Sequence, residues 1–172
     1  MGFTGQTAAT LEMKIMTQRI RLALISVWFG AMVLFTTSVA RAAFAVLPTR
    51  RMAGDLVSPI LLELEYFGLA MSAILIALLL LSREVKRTSY YVELIIYLLA
   101  LIVTATARFV VAAKIHDIRA TFGDKLDTLA LTDPTKILFG QLHGLSVGLT
   151  GLNMIFALVV IVLLIIQRPV RS

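Results

Sequence analysis

Residues 137–167 read ILFGQLHGLSVGLTGLNMIFALVVIVLLIIQ and contain no Asp, Glu, Lys or Arg. A helix needs about 20 predominantly apolar residues to cross the hydrocarbon core of a bilayer, and this run exceeds that length. Asp133 followed by Pro134 is a favourable N-cap and first-turn pair, so the helix should begin there. The stretch predicts a membrane-spanning helix whose first turns project into water.

Three other apolar runs precede this one, and the four spans are expected at about 21–41, 60–82, 91–113 and 137–167. The bilayer core offers no water, so each span must satisfy its own backbone hydrogen bonds and is predicted to be a helix. Ser58-Pro59 predicts the start of the second helix, with Gly54 as an alternative. The expected fold is an all-α, four-helix transmembrane bundle. It has an N-terminal polar segment at 1–18, one domain at 19–168 and an extramembrane link at 114–136.

The composition agrees with a membrane protein. Hydrophobic residues make up 59% of the chain, charged residues 15%, and the mean hydropathy is +0.94. A soluble domain has about a quarter of its residues charged, so lipid is the expected solvent for much of this surface. The net charge of +6 is therefore assigned to topology and anionic headgroups, and nucleic acid is not an expected partner.

An even number of spans places both termini on one side of the membrane. In the expected topology this side carries basic residues in short segments at the span ends: Lys14, Arg19, Arg21, Arg83, Lys86, Arg87, Arg168 and Arg171. Because Lys and Arg near span ends favour the cytoplasmic side, the sequence predicts cytoplasmic termini in a bacterial cytoplasmic membrane.

A layer of polar side chains is expected near the non-cytoplasmic interface. Counting about 20 residues per crossing brings five of them to a similar depth: Arg41, Glu63, Glu65, Arg108 and His143. Glu63 and Glu65 point about 200° apart, so one should face the bundle and the other the headgroups. A Glu63–Arg108 contact is the favoured pairing. The layer is either an inward-facing charge network or a set of side chains that reach the interface separately.

The fourth helix carries two stripes of non-aliphatic residues. The polar stripe, which spans about 80° of the helix surface, consists of His143, Ser146, Thr150 and Asn153. The glycine stripe beside it consists of Gly140, Gly144, Gly148 and Gly151. Small residues at i and i+4 allow close helix packing, which is one interpretation. The other is a cavity lined by His143, Ser146 and Asn153 that binds a small polar ligand, an ion or a proton.

Motifs for metals and catalysis are missing from the sequence. There are two His, His116 and His143, and no Cys, whereas transition-metal sites usually have three or four ligands. No metal or cofactor is predicted, although a single His can ligate a haem or pigment. No Walker loop, G-x-S-x-G, HExxH or convincing pair of catalytic carboxylates occurs, so the chain is not predicted to be an enzyme.

Three runs have the pattern of a known family: VWFGAMVLFTTSVARAAFAVLP (27–48), MAGDLVSPILLELEYFG (52–68) and FGQLHGLSVGLTGLN (139–153). They resemble the four-span membrane family of domain of unknown function 4149, which is similar to eukaryotic transmembrane protein 205. The resemblance covers roughly residues 20–167, and its positions are Trp28, Gly30, Phe44, Ala53, Gly54, Leu142, His143, Gly144, Ser146 and Asn153. Asn153 departs from the pattern, in which the Asn lies closer to the Ser. The resemblance implies a four-helix membrane protein of unsettled function, with a hint toward transport from the eukaryotic relative's association with drug resistance.

Three functions are compatible with this sequence. The favoured one is an accessory or structural subunit, which associates with other membrane proteins, or with itself, through the glycine stripe. The alternative is a small transporter or ligand- or ion-binding membrane protein that uses the polar layer. The third is a cofactor-binding subunit of an electron-transfer or photosynthetic complex, with His143 or His116 as axial ligand.

Overall fold

The computed structural model describes residues 3–82, 88–123 and 125–167, and these residues form four long helices with no strand. The first helix comprises Phe3–Leu34, a π-helical segment Phe35–Val39, and Ala40–Val46. The second is Arg50–Leu81. The third comprises Thr88–Thr106, a π-helical segment Ala107–Ala112, and Ala113–Phe122, and the fourth is Pro134–Ile166. A short helix, Lys125–Thr128, lies in the link.

All four helices are long and apolar enough to cross a membrane, and the chain is an integral, multi-pass membrane protein with an all-α fold, as predicted. We call the end of the bundle at which the fourth helix ends, near Ile166, the terminal end. The other end, where the fourth helix begins at Pro134, is the opposite end. Helices of 32 and 33 residues are about 50 Å long, more than the roughly 30 Å of hydrocarbon, so the bundle extends beyond the bilayer.

The helices pack as a ring in which each contacts its two neighbours: the first against the second and fourth, and the third against the second and fourth. Each contributes one face to a common core, with members spaced by three, four or seven residues. This core contains Ile25, Trp28, Met32, Met71, Leu75, Leu79, Tyr90, Tyr97, Ala157, Val160 and Leu164. The remaining large apolar side chains are mostly exposed on the outside, where lipid surrounds them.

The second helix begins earlier than the sequence predicted. It starts at Arg50, because the backbone of Thr49 is extended and its hydroxyl accepts a hydrogen bond from the amide of Met52, 3.1 Å away. Pro59 is therefore inside the helix and not at its start. Both predicted starts, Ser58-Pro59 and Gly54, were wrong because threonine capping was overlooked. The fourth helix begins where it was predicted, with the Asp133 carboxylate accepting from the amide of Thr135 at 2.7 Å.

Two π-helical segments interrupt the first and third helices toward the opposite end. In the first, the Thr36 and Thr37 hydroxyls donate to backbone carbonyls of the preceding turn, at Met32 and Val33. In the third, Thr104 makes the same kind of bond to the carbonyl of Ala100, just before the segment. Hydroxyl groups that bond back to the helix compete with its own ladder and bend it. Residues beyond each segment therefore depart from the ideal 100° spacing, which bears on where Arg108 points.

Gly68 of the second helix lies close against the Trp28 ring of the first helix. A Cβ atom at this position would lie 2.6 Å from the Trp28 ring of the first helix, whereas a Cβ at Gly30 would meet no atom within 4 Å. Trp28 also contacts Phe67 of the second helix, with ring centroids 5.8 Å apart.

Gly68→Ala should lower the free energy of unfolding by about 1–3 kcal/mol, because the methyl group overpacks the Trp28 ring. Gly30→Ala is the matched control, and it should be neutral or stabilising by up to about 1 kcal/mol because alanine favours helix. Chemical unfolding in detergent micelles measures both. Equal behaviour of the two variants would contradict this packing.

Candidate functional site

The strongest polar interaction of the described residues lies inside the bundle near the terminal end. Arg21 of the first helix donates from Nη1 to Oε2 of Glu93 of the third helix at 2.7 Å, and their side chains are only 3% and 2% exposed. Close by, the Gln18 amide donates to the backbone carbonyl of Leu164 at 2.8 Å and ties the fourth helix to the first. Charges buried beside hydrocarbon are rare unless paired, so this pair fixes how the first and third helices meet, and the Gln18 bond adds the fourth.

The Arg21–Glu93 pair was not predicted from the sequence. Arg21 was treated as the boundary of the first span, and Glu93 was not considered because it precedes the long apolar run of the third. A signal was present: Glu93 lies between Tyr90 and Tyr97 at spacings of three and four residues, and all three are buried. Arg21 likewise lies four and seven residues before the buried Ile25 and Trp28. Each charged residue thus continues the apolar face of its own helix.

The predicted polar layer is located toward the opposite end, but it is not joined by ion pairs. Glu65 is buried and Glu63 is exposed, as expected for residues two apart on one helix. Arg41 and His143 are exposed, and Arg108 is half-buried. Within the described ranges, no salt bridge connects either Glu to either Arg of the layer.

Arg108 binds an aromatic residue in place of the carboxylate expected for it. Its Nη2 donates to the Tyr66 hydroxyl at 3.4 Å, and its guanidinium lies over the Tyr66 ring, 5.1 Å from the centroid, and 6.0 Å from that of Phe109. The expected Glu63–Arg108 hydrogen bond or ion pair is not formed among these described residues. That pairing was predicted from similar depth along the helices, but Glu63 is exposed, and Arg108, which lies in the second π-helical segment, contacts Tyr66 instead.

Another arginine holds the helices together farther out at the opposite end. Arg119 of the third helix donates to the Ser58 hydroxyl at 3.1 Å and lies 3.9 Å from the Asp55 carboxylate. Its guanidinium also stacks on the Phe139 ring, 5.5 Å from the centroid, and presses against Gly54, where a Cβ would collide with it. Glycine at 54 therefore allows Arg119 to bridge the second and fourth helices.

The polar stripe of the fourth helix divides between two environments. Ser146 and Asn153 are buried, and the Asn153 amide donates to the Thr104 hydroxyl of the third helix at 3.1 Å. Thr150 is half-buried and bonds to the carbonyl of Ser146 in its own helix. His143 is exposed, with its ring stacked on Phe139 at a centroid distance of 6.5 Å. The four residues therefore do not line one cavity together.

The glycine stripe faces away from the rest of the chain. Gly140, Gly144 and Gly148 are exposed and Gly151 is half-exposed, and a Cβ at any of the four would meet no atom within 4 Å. At 100° per residue, their mean direction is about 180° from that of the buried residues of the same helix, Leu142, Ser146, Asn153, Ala157, Val160 and Leu164. These glycines are not used for packing inside the chain.

A small cavity lies in the core between the four helices. Its volume is about 10 Å³, and its lining includes Ser72, Tyr97 and Asn153 among apolar residues such as Trp28 and Leu75. The Tyr97 hydroxyl and the Asn153 side-chain carbonyl oxygen are buried, and neither has a hydrogen-bond partner in the described part of the chain. No group of three or more His, Cys, Asp or Glu suited to a metal ion occurs among the described residues.

Glu93→Gln should destabilise the bundle by about 3–5 kcal/mol, because it leaves the Arg21 charge buried without its partner. The control is Asp55→Asn, which weakens the exposed Arg51–Asp55 pair (3.6 Å) and should change stability by at most about 1 kcal/mol. The double variant Arg21→Met/Glu93→Leu should be less damaging than Glu93→Gln alone. Unfolding in detergent tests this order, and an equal loss in both single variants would refute it.

Comparison with known proteins identifies one family. A family model described as "Domain of unknown function (DUF4149)" matches residues 23–122, more than half of the chain. The match begins inside the first helix, contains the second helix and the third helix up to Phe122, and ends before the fourth, so the segment from Leu142 to Asn153 lies outside it. No curated protein and no solved structure matches the chain.

Proposed function

The chain belongs to the family of domain of unknown function 4149, whose description states no activity, and we propose from the geometry that it is an accessory subunit that binds another membrane protein. The contact is a helix–helix interface formed by Gly140, Gly144 and Gly148. The observation that supports this role is the exposure of these glycines on the face opposite the core, where a Cβ on any of them would meet no atom of the described residues within 4 Å beyond its own helix backbone.

These glycines lower the stability of their own helix. Each glycine inside a helix is about 1 kcal/mol less favourable than alanine, and here no intrachain contact compensates for it. In lipid, helices associate through close packing of small residues and through polar groups that bond across the contact. His143 lies beside the glycines, exposed on the same helix, and supplies such a group.

The occupant that fits this face is a transmembrane helix of a partner protein. A line of glycines at i, i+4 and i+8 forms a shallow groove that lets a second backbone approach more closely than lipid chains require. Large apolar residues border the groove, among them Ile137 and Leu145, which are 47% and 49% exposed. A helix seated on the groove would bury these side chains as well.

For orientation, we propose cytoplasmic termini in a bacterial cytoplasmic membrane, based on the basic residues at the span ends.

The transporter alternative has weaker support. It requires a wet passage to the polar layer, whereas the cavity described above is about one water molecule in size and its lining includes neither Glu65 nor Arg108. Three residues of the layer, Arg41, Glu63 and His143, are exposed on the outside of the bundle.

Gly144→Leu should remove at least about nine-tenths of a co-purifying membrane partner, because a loss of about 1.4 kcal/mol reduces association tenfold. The experiment is purification from the native membrane in mild detergent, with co-purifying proteins identified and quantified by mass spectrometry. Gly30→Leu is the matched control, since Gly30 is exposed on the first helix and also has open space around it. This control should retain the partner.

Other outcomes of the same purification would overturn the role. A partner retained by Gly144→Leu would exclude this interface. A chain that purifies alone would exclude an accessory role, and so would a chain that associates only with copies of itself. Because both glycines are exposed and a Cβ at either would meet no neighbouring atom within 4 Å, both variants should keep the thermal stability of the original, which separates loss of binding from loss of folding.

A further inference from the structure

We infer that the outer face of the second helix binds a second copy of this chain, with Glu63 of each copy paired to Arg108 of the other. This face is separate from the glycine stripe of the fourth helix, so the inference does not depend on the accessory role. The observation is that two opposite charges share one exposed face at similar depth, and neither forms an ion pair with another described residue.

Glu63 and Arg108 reach this face from neighbouring helices. At 100° per residue, Glu63 and Tyr66 both point within about 40° of the direction opposite the buried residues of the second helix. Arg108 of the third helix extends onto the same face, where its guanidinium lies over the Tyr66 ring and donates to the hydroxyl at the surface of the bundle. Tyr66 thus holds the guanidinium on the face that carries the carboxylate.

The two charges also lie at similar depth. Glu63 and Tyr66 are three residues apart, or about 4.5 Å along the helix axis, and Arg108 contacts Tyr66 directly. Glu63 precedes Leu81, the last residue of the helix, by 18 residues or about 27 Å, which places it near the far edge of a hydrocarbon core roughly 30 Å thick. A charge at such a position is costly unless a partner compensates for it.

The charges on this part of the chain are not paired internally. The buried Glu65 interacts electrostatically with Arg108, although no ion pair joins them, and Glu63 forms no ion pair within the described ranges. A guanidinium has five N–H donors, so Arg108 can bind a further carboxylate. Glu63 of a second copy supplies that carboxylate and gains the cation that it lacks.

Twofold symmetry makes the pairing reciprocal. In a dimer whose axis is normal to the membrane, every residue keeps its depth, and an isologous interface brings residue i against j and j against i. Glu63 and Arg108 share depth and face, so the same ion pair forms on both sides of the axis. Large apolar residues exposed nearby, Ile60, Phe67 and Phe109, surround the two charges. Aromatic residues and Arg are enriched at interfaces between proteins.

Charge reversal in trans tests the dimer. Copies labelled with a donor or an acceptor dye are placed in lipid vesicles, and energy transfer measures their association. Glu63→Arg and Arg108→Glu should each weaken self-association by at least about tenfold, because like charges then meet at both contacts. A mixture of these two variants should associate within about threefold of the original, because opposite charges meet again at both contacts. The control is Lys14→Glu, exposed at the terminal end, which should associate like the original.

Neutral variants keep the test decisive if a reversed charge prevents folding, which circular dichroism would reveal. Glu63→Gln and Arg108→Gln should each weaken self-association. Their mixture retains one of the two ion pairs and should associate more tightly than either variant alone. Three results would overturn the inference: an original chain that stays monomeric at every protein-to-lipid ratio, reversal variants that associate as tightly as the original, or mixtures no tighter than their components. The last result is the one expected if Glu63 and Arg108 paired within a single chain.

Discussion

Lipid offers no hydrogen bonds, and this constraint determines how the bundle is arranged. Two pairs of polar side chains buried among the spanning helices bond across helices: Arg21 with Glu93, and Asn153 with Thr104. Many large aliphatic and aromatic side chains are exposed on the outer surface. A soluble four-helix bundle also has an apolar core, but its outer surface is polar and charged. The interior of this chain is consequently the place where polar interactions specify which helices are neighbours.

The buried ion pair restricts how the helices can be arranged. An ion pair such as Arg21–Glu93 is strongly directional, but the desolvation of two charges offsets most of its attraction, so its net contribution to stability is modest. Its value is that any other register of the first and third helices would leave a charge unpaired in lipid. The Asn153–Thr104 bond adds the same kind of constraint with neutral groups.

The sequence predicted the class and the number of helices because both depend on hydropathy and length, which are properties of single segments. It also predicted the start of the fourth helix, where Asp133 and Pro134 are local signals. Pairings between helices were harder to predict. The Glu63–Arg108 pairing was predicted from similar depth, but Glu63 is exposed and Arg108 contacts Tyr66. Arg21–Glu93 was overlooked because both residues lie at span ends, where a charge is usually hydrated. Depth along a helix can be read from a sequence, but the rotation of one helix against another depends on packing across the whole bundle.

The two sides of the fourth helix face different surroundings, the other helices on one side and lipid on the other. Its inner side must close the ring, and it does so with Ala157, Val160 and Leu164 against the core and Asn153 against Thr104. Its outer side does not pack against the other helices. Leucine or valine on that side would favour the helix more than glycine does and would also contact lipid. Glycine on that side weakens the helix without any gain inside the chain. Such a loss is expected only where something outside the chain compensates for it, and a second helix in close contact does so. The direction of the glycines, and not their spacing alone, therefore favours a partner protein over internal packing.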